Sequence, residues 1–187
     1  MRVLGVDPGL SRCGIGVVEG PSRRPVALRT GVVRTPSGEP TSRRLARLYA
    51  ELRAVISQAS PQAVAVERVF FNVNVRTAMG VGQAAGVVLL CAEQADLPVV
   101  EYTPTQVKLA VTGSGAADKA QVGFMVRSLL GLAESPRPPD AADALALALC
   151  HLQHAGAASS TAGGMSPRLA AAVAAAGPGA QVVRRSR

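Results

Sequence analysis

Apolar and polar positions change period several times along the chain, and each change marks an element. Arg2–Asp7 is a short apolar run that stops at Asp7-Pro8-Gly9, a strand ending in a turn. Gly14–Glu19 is a second strand, reached too soon for a crossover helix, so it should pair antiparallel with the first. Val26–Arg34 follows a turn-rich stretch as the third. From Ser42 onward, Leu45, Leu48, Leu52, Val55 and Ile56 recur at helical spacing, with Arg43, Arg44, Arg47 and Arg53 largely off that stripe. This predicts an amphipathic helix with a basic outer surface. Ala63–Glu67 is apolar without alternation, as in a central strand covered on both faces. Asn74–Ala95 reads as a long helix carrying Gly80, Gly82 and Gly86. Each glycine costs a helix about 1 kcal/mol against alanine, so their clustering points to close helix packing, with a dimer interface as one setting for it. Pro98–Tyr102 is a fifth strand, Thr103-Pro104 opens a helix with a cap and an N1 proline, Asp118 caps the next helix, and Asp140–His151 is the last. The order predicts an α/β fold: a five-stranded mixed sheet with helices on both faces.

Composition refines this picture. The chain has 187 residues, 20 Lys+Arg against 12 Asp+Glu, a formal net charge of +8, and a low aromatic content of 3 %. That length suits one domain with a tail, and the charge favours a polyanionic partner. Cys13, Cys91 and Cys150 form no Cys-x-x-Cys pair, so neither a disulfide framework nor a zinc site is expected; they read as small buried hydrophobes in a reducing cytoplasm. The uncharged stretch 77–92 is too short and too rich in glycine for a membrane span, and Met1–Asp7 meets a charge too early for a secretory signal. The expected body is 1–154. Residues 155–187 are an Ala/Gly/Ser-rich tail with a short Ala helix near Arg168–Ala176, and the tail carries Arg168, Arg184, Arg185 and Arg187 without an acid. Half of the +8 therefore belongs to the tail. Only Lys108 and Lys119 break the use of arginine, either by chance or because an ammonium is wanted there.

Four carboxylates stand where this order could bring them together. Asp7 ends the first strand, Glu67 ends the fourth, and Asp140 and Asp143 lie at i and i+3 on the final helix. If the first and fourth strands are parallel neighbours, their ends meet and the helix can lay its aspartates over the same point. Oxygen donors without a nearby His or Cys suit Mg²⁺ or Mn²⁺. Two such ions about 3.5–4 Å apart would support in-line attack of water on a phosphodiester. Each acid alone has a plainer reading: an ordinary turn for Asp7, pairing with Arg68 or Arg76 for Glu67, an N-cap and a dipole partner for Asp140 and Asp143. Lys119, in the first turn of a helix, opposes the helix dipole, which suggests a gain elsewhere such as binding a scissile phosphate. His151 lies roughly 16 Å along the last helix from Asp140 and is not expected to be a ligand. Phe70-Phe71 follows Glu67 in a loop; Phe70 could stack on unpaired bases or wedge into a junction, while Phe71 could equally be core. Arg76, beyond this loop, is a further candidate DNA contact.

Gly5-Val6-Asp7-Pro8-Gly9 with Gly14-Ile15-Gly16, Val66-Glu67-Arg68-Val69-Phe70, Gly82-Gln83-Ala84-Ala85-Gly86-Val87, Glu101-Tyr102-Thr103-Pro104 with Val107-Lys108, Asp118-Lys119-Ala120-Gln121-Val122 and Asp140-Ala141-Ala142-Asp143-Ala144-Leu145-Ala146 together resemble the RuvC family of bacterial Holliday-junction resolvases. The matches run through about residues 1–151 in the family's order. The resemblance implies the ribonuclease H-like fold and a homodimer making paired symmetric nicks across a four-way junction, with 5′-phosphate and 3′-hydroxyl ends. It implies Asp7, Glu67, Asp140 and Asp143 as metal-binding acids, Lys108 and Lys119 as basic site residues, and Phe70 as the junction-contacting aromatic. It also implies partnership with the RuvA–RuvB branch-migration complex, in a cytoplasmic, nucleoid-associated setting. Two rivals remain, one within the same fold and one from a different class. An actin/Hsp70-type ATPase would need a second, duplicated domain. A non-catalytic junction scaffold would leave four acids facing DNA phosphate unless metals occupied them.

Overall fold

The computed structural model describes residues 1–68 and 75–159. Three strands come first: β1 (Arg2–Asp7), β2 (Arg12–Glu19) and β3 (Val26–Arg34), followed by α1 (Thr41–Ala59), β4 (Ala63–Glu67), α2 (Val75–Gln94), β5 (Val99–Tyr102), α3 (Pro104–Thr112), α4 (Lys119–Leu129) and α5 (Pro139–Ser159). The five strands form one sheet in the order β3-β2-β1-β4-β5. β1 pairs antiparallel with β2 and parallel with β4, and β4 pairs parallel with β5. The expected mixed sheet is therefore present, and its first and fourth strands are adjacent and parallel.

Alternation along the central strands divides the core. Leu4, Val6, Val64 and Val66 face α1 and α2, where they pack with Leu48, Leu52, Val55, Ala84 and Val88. Val3 and Ala65 face the opposite layer, built on Val107, Val122, Val126, Leu145 and Leu149 of α3, α4 and α5. Side chains two apart on a strand share a face, so the unbroken apolar runs of β1 and β4 serve both layers at once. Cys13, Cys91 and Cys150 are free and buried, as expected.

Two sequence expectations need correction, for Arg44 and for the end of the last helix. Arg44 does not belong to the basic outer surface of α1: it is 8 % exposed and lies on the buried line with Leu48, Leu52 and Val55. α5 runs well past His151, to Ser159. Gly82 and Gly86 meet no neighbour among the described residues, where a Cβ at either position would find nothing within 4 Å. Instead they lie on an exposed strip of α2 near Met79 and Leu90. The Ala helix expected near Arg168–Ala176 falls outside the described residues. Among the described residues no helix is long and apolar enough to cross a membrane.

Candidate active site

The site is built at the carboxyl ends of β1 and β4. Their parallel register pairs Val6 with Val66, so the next residues, Asp7 and Glu67, stand side by side. α5 crosses over β1 and β2 at backbone contact. A Cβ on Gly5 would come within 2.0 Å of Ala144 O, one on Gly14 within 2.0 Å of Asp140 O, and one on Gly16 within 2.8 Å of Leu145 N. Only glycine at these places lets the helix descend far enough to bring Asp140 and Asp143 over the strand ends.

The inner pair, Asp7 and Glu67, is hydrogen-bonded through its carboxyl groups. Burial pushes Asp7 up to about 7, helped by the negative charges of Glu67, Asp143 and Asp140. Burial also raises Glu67, although the bond from Asp7 acts in the other direction. Like charges in a dry site oppose one another's ionisation, so both carboxyls hold their protons to higher pH than free acids do. The outer acids are held by cations at the rim. Lys119 Nζ donates to Asp143 Oδ2 at 3.3 Å, and the Arg12 guanidinium donates to Asp140 Oδ2. Asp143 is also the main reason that the Lys119 ammonium holds its proton more tightly than usual. Lys119 is placed by the capping box of α4, in which Asp118 accepts from Gln121 N and Gln121 returns a contact to the Asp118 amide. Lys108, Lys119, Glu67 and Asp143 line one cleft of about 110 Å³.

The turn between β1 and β2 is tied to α1 from beneath. Arg44 Nε donates to Thr35 Oγ1 at 2.9 Å, Arg44 donates to Ser11 Oγ at 2.5 Å, and Thr35 Oγ1 donates to Leu10 O at 2.5 Å. A buried guanidinium thereby fixes the segment that leads from Asp7 to Arg12.

The donor set fits a hard divalent cation. It consists of carboxylate oxygens only; the nearby Cys13 thiol is pushed up to about 12 by burial and does not compete. Four acids face Arg12 and Lys119 at the rim and Lys108 in the cleft, so negative charge still predominates at a partly buried point. Among the described residues no three such side chains converge closely enough to cage a single ion as they stand. Asp140 and Asp143 are turned onto Arg12 and Lys119.

Of the residues singled out from sequence, Asp7, Glu67, Asp140, Asp143, Lys119 and Lys108 are thus brought to one end of the sheet. Phe70 lies outside the described residues, as does Phe71. Arg76 falls within α2, without a described side chain. His151 is away from the site: it is 2 % exposed and bonded through Nδ1 to Tyr102 Oη at 3.0 Å. Arg12 and Arg44 were not anticipated. Arg44 carried a signal, since its i, i+4, i+8 spacing with Leu48 and Leu52 places it on the buried stripe. Arg12 carried none, because its partner is 128 residues away.

A mixed five-stranded sheet of this order, with acids at the ends of its two central parallel strands and on a helix laid over them, is a ribonuclease H-like fold. The family model described as "Crossover junction endodeoxyribonuclease RuvC" matches residues 3–151, and the chain belongs to this family. The protein of that name from Frankia alni is 61 % identical over 153 residues, covering 81 % of this chain and 78 % of the relative. The Salinispora arenicola protein is 54 % identical over 173 residues, covering 92 % and 94 %. Among solved structures, Thermus thermophilus RuvC in complex with Holliday junction substrate superposes with a TM-score of 0.81 at 44 % identity, covering 84 % of this chain and 96 % of that one.

Proposed function

We propose that this chain resolves four-way DNA junctions by paired symmetric nicking, and that Asp7, Glu67, Asp140 and Asp143 hold two Mg²⁺ ions, with Mn²⁺ as a substitute. The observation that carries this reading is the buried Asp7–Glu67 pair at adjacent parallel strand ends, with two more aspartates laid over it by α5. The bound ions would supply a nucleophilic water at neutral pH and neutralise charge on the leaving oxygen. The chain's own residues do the rest. Asp7 and Glu67 offer the fixed inner donors, Asp140 and Asp143 the outer ones, and Lys119, with its ammonium at the cleft mouth, meets the negative charge that gathers on the phosphoryl oxygens. Lys108, lining the same cleft, contributes a second ammonium. Such cleavage leaves 5′-phosphate and 3′-hydroxyl ends.

Phe70, adjacent to Glu67, would stack on or wedge into the junction, and Arg76 would contact backbone phosphate. Two symmetric cuts call for two sites, hence a homodimer. The exposed strip of α2 at Met79, Gly82, Gly86 and Leu90 supports this, since glycines that touch nothing among the described residues admit close approach of a second helix. The division into a nuclease body of 1–154 and a basic tail of 155–187, the partnership with a RuvA–RuvB complex, and a cytoplasmic, nucleoid-associated setting belong to the same proposal.

The test is cleavage mapping on an end-labelled synthetic four-way junction with Mg²⁺. The expected products are nicks at symmetric positions in two strands of like polarity that ligase seals without further treatment. Structure-selective binding with no cutting in either Mg²⁺ or Mn²⁺ would favour the scaffold reading instead.

A further inference from the structure

β2 opens with Arg12, whose guanidinium is ion-paired with Asp140; the two side chains are 44 % and 25 % exposed. Lys119 stands in the same relation to Asp143 on the other side. The outer acids are thus each ion-paired with a cation, while among the described residues neither member of the inner pair forms an ion pair and Lys119 acts on it only at longer range. A carboxylate oxygen that accepts from a guanidinium has committed a lone pair that a metal ion needs. Arginine also stays charged at every pH at which the protein folds, so deprotonation cannot relieve this competition.

We propose that Arg12 is a positioning residue of this site, which holds Asp140 in the cation-free protein, competes with the divalent cation for that carboxylate, and so sets the cation concentration at which the site fills. The inference rests on the reading of the four carboxylates as a cation site. An ion pair as exposed as this one is weak, so removing it should tighten cation binding roughly two- to fivefold. Its role in the unfilled site is to keep Asp140 from adding its charge, undiluted, to the Asp7–Glu67 pair.

The test titrates the full-length protein with Mn²⁺ at pH 8 and low salt, without DNA, following free Mn²⁺ by electron paramagnetic resonance and the melting temperature in parallel. Arg12→Gln and Arg12→Ala are compared with wild type, with Arg12→Lys, and with Arg43→Ala, which removes one positive charge from an exposed position of α1. The expected result is a midpoint two- to fivefold lower in Arg12→Gln and Arg12→Ala, near wild type in Arg12→Lys, and unchanged in Arg43→Ala. Arg12→Gln keeps the length of the side chain and covers the case in which the alanine variant folds poorly. Midpoints that are unchanged or raised in both neutral variants overturn the proposal while leaving the cation site in place. An equal effect of Arg43→Ala also overturns it, since general charge would then explain the shift. Absence of Mn²⁺ binding in wild type and all variants overturns the cation site and this proposal together.

Discussion

Gly14 of β2 lies directly under Asp140 of α5, so close that a Cβ at position 14 would stand 2.0 Å from the Asp140 carbonyl oxygen. The conflict is with backbone, which cannot swing aside as a long side chain can. Gly14→Ala should therefore lift the first turn of α5 and move Asp140 and Asp143 away from Asp7 and Glu67. The expected stability cost is about 1–3 kcal/mol, read by urea unfolding. Junction cleavage should fall at least a hundredfold, because sub-ångström to ångström displacement of reacting groups is enough to do so. Gly38→Ala, in the connection between β3 and α1, where a Cβ would meet nothing within 4 Å, is the control and should leave cleavage within a fewfold.

The raised Asp7 carboxyl predicts a pH dependence of stability in the absence of divalent cations. With a folded value of about 7 against 3.8 for the free group, its favourable contribution is complete below pH 4 and is lost as the pH rises to 7. Asp7→Asn removes the repelling charge. At pH 8 without metal it should raise the melting temperature by about 3–6 °C, and the gain should vanish near pH 4. Added Mg²⁺ should raise the melting temperature of wild type and do so far less in the variant.

His151 acts in the opposite direction over an overlapping range. Burial, with His154 nearby, lowers it to about 4 from an ordinary 6.5. The unfolded chain takes up a proton below pH 6.5 that the folded chain refuses, so stability present above pH 6.5 is lost as the pH falls toward 4, by up to about 3 kcal/mol. His151→Gln keeps an acceptor for Tyr102 but does not titrate. Chemical denaturation at pH 7 and pH 4.5 should show a smaller loss on acidification for the variant than for wild type.

Arg44 joins α1 to the turn that follows Asp7 through neutral partners only, Thr35 and Ser11. Arg44→Leu leaves the buried Thr35 hydroxyl without its donor, while the exposed Ser11 can turn to water, and should cost about 1–3 kcal/mol. Arg44→Lys restores the charge but not the fork, and should recover only part of the stability. In both variants cleavage at saturating enzyme should drop while junction binding is largely retained.

Much of this was legible in the chain because it was local. Apolar runs gave the five strands, and Thr103, Pro104 and Asp118 marked helix starts that the structure repeats. The convergence of the four acids was legible for a different reason: Asp7 and Glu67 end β1 and β4, which are parallel neighbours, and Asp140 and Asp143 lie near the start of the helix laid over them. Arg12 was not legible, because an ion pair spanning 128 residues leaves no periodic trace. Charge points Arg44 outward while spacing points it inward, and spacing prevails because a guanidinium with two hydrogen bonds, to Thr35 and Ser11, can be buried where an unpaired one could not.

The central claim, that the four carboxylates form a cation site that cuts junctions, is tested most directly by Asp7→Asn on a labelled four-way junction with Mg²⁺, scored for binding and for cutting in the same samples. The account predicts junction binding close to wild type and cutting reduced by at least a thousandfold, since the inner donor is lost while the basic surface is intact. Cutting by Asp7→Asn at the wild-type rate would contradict it.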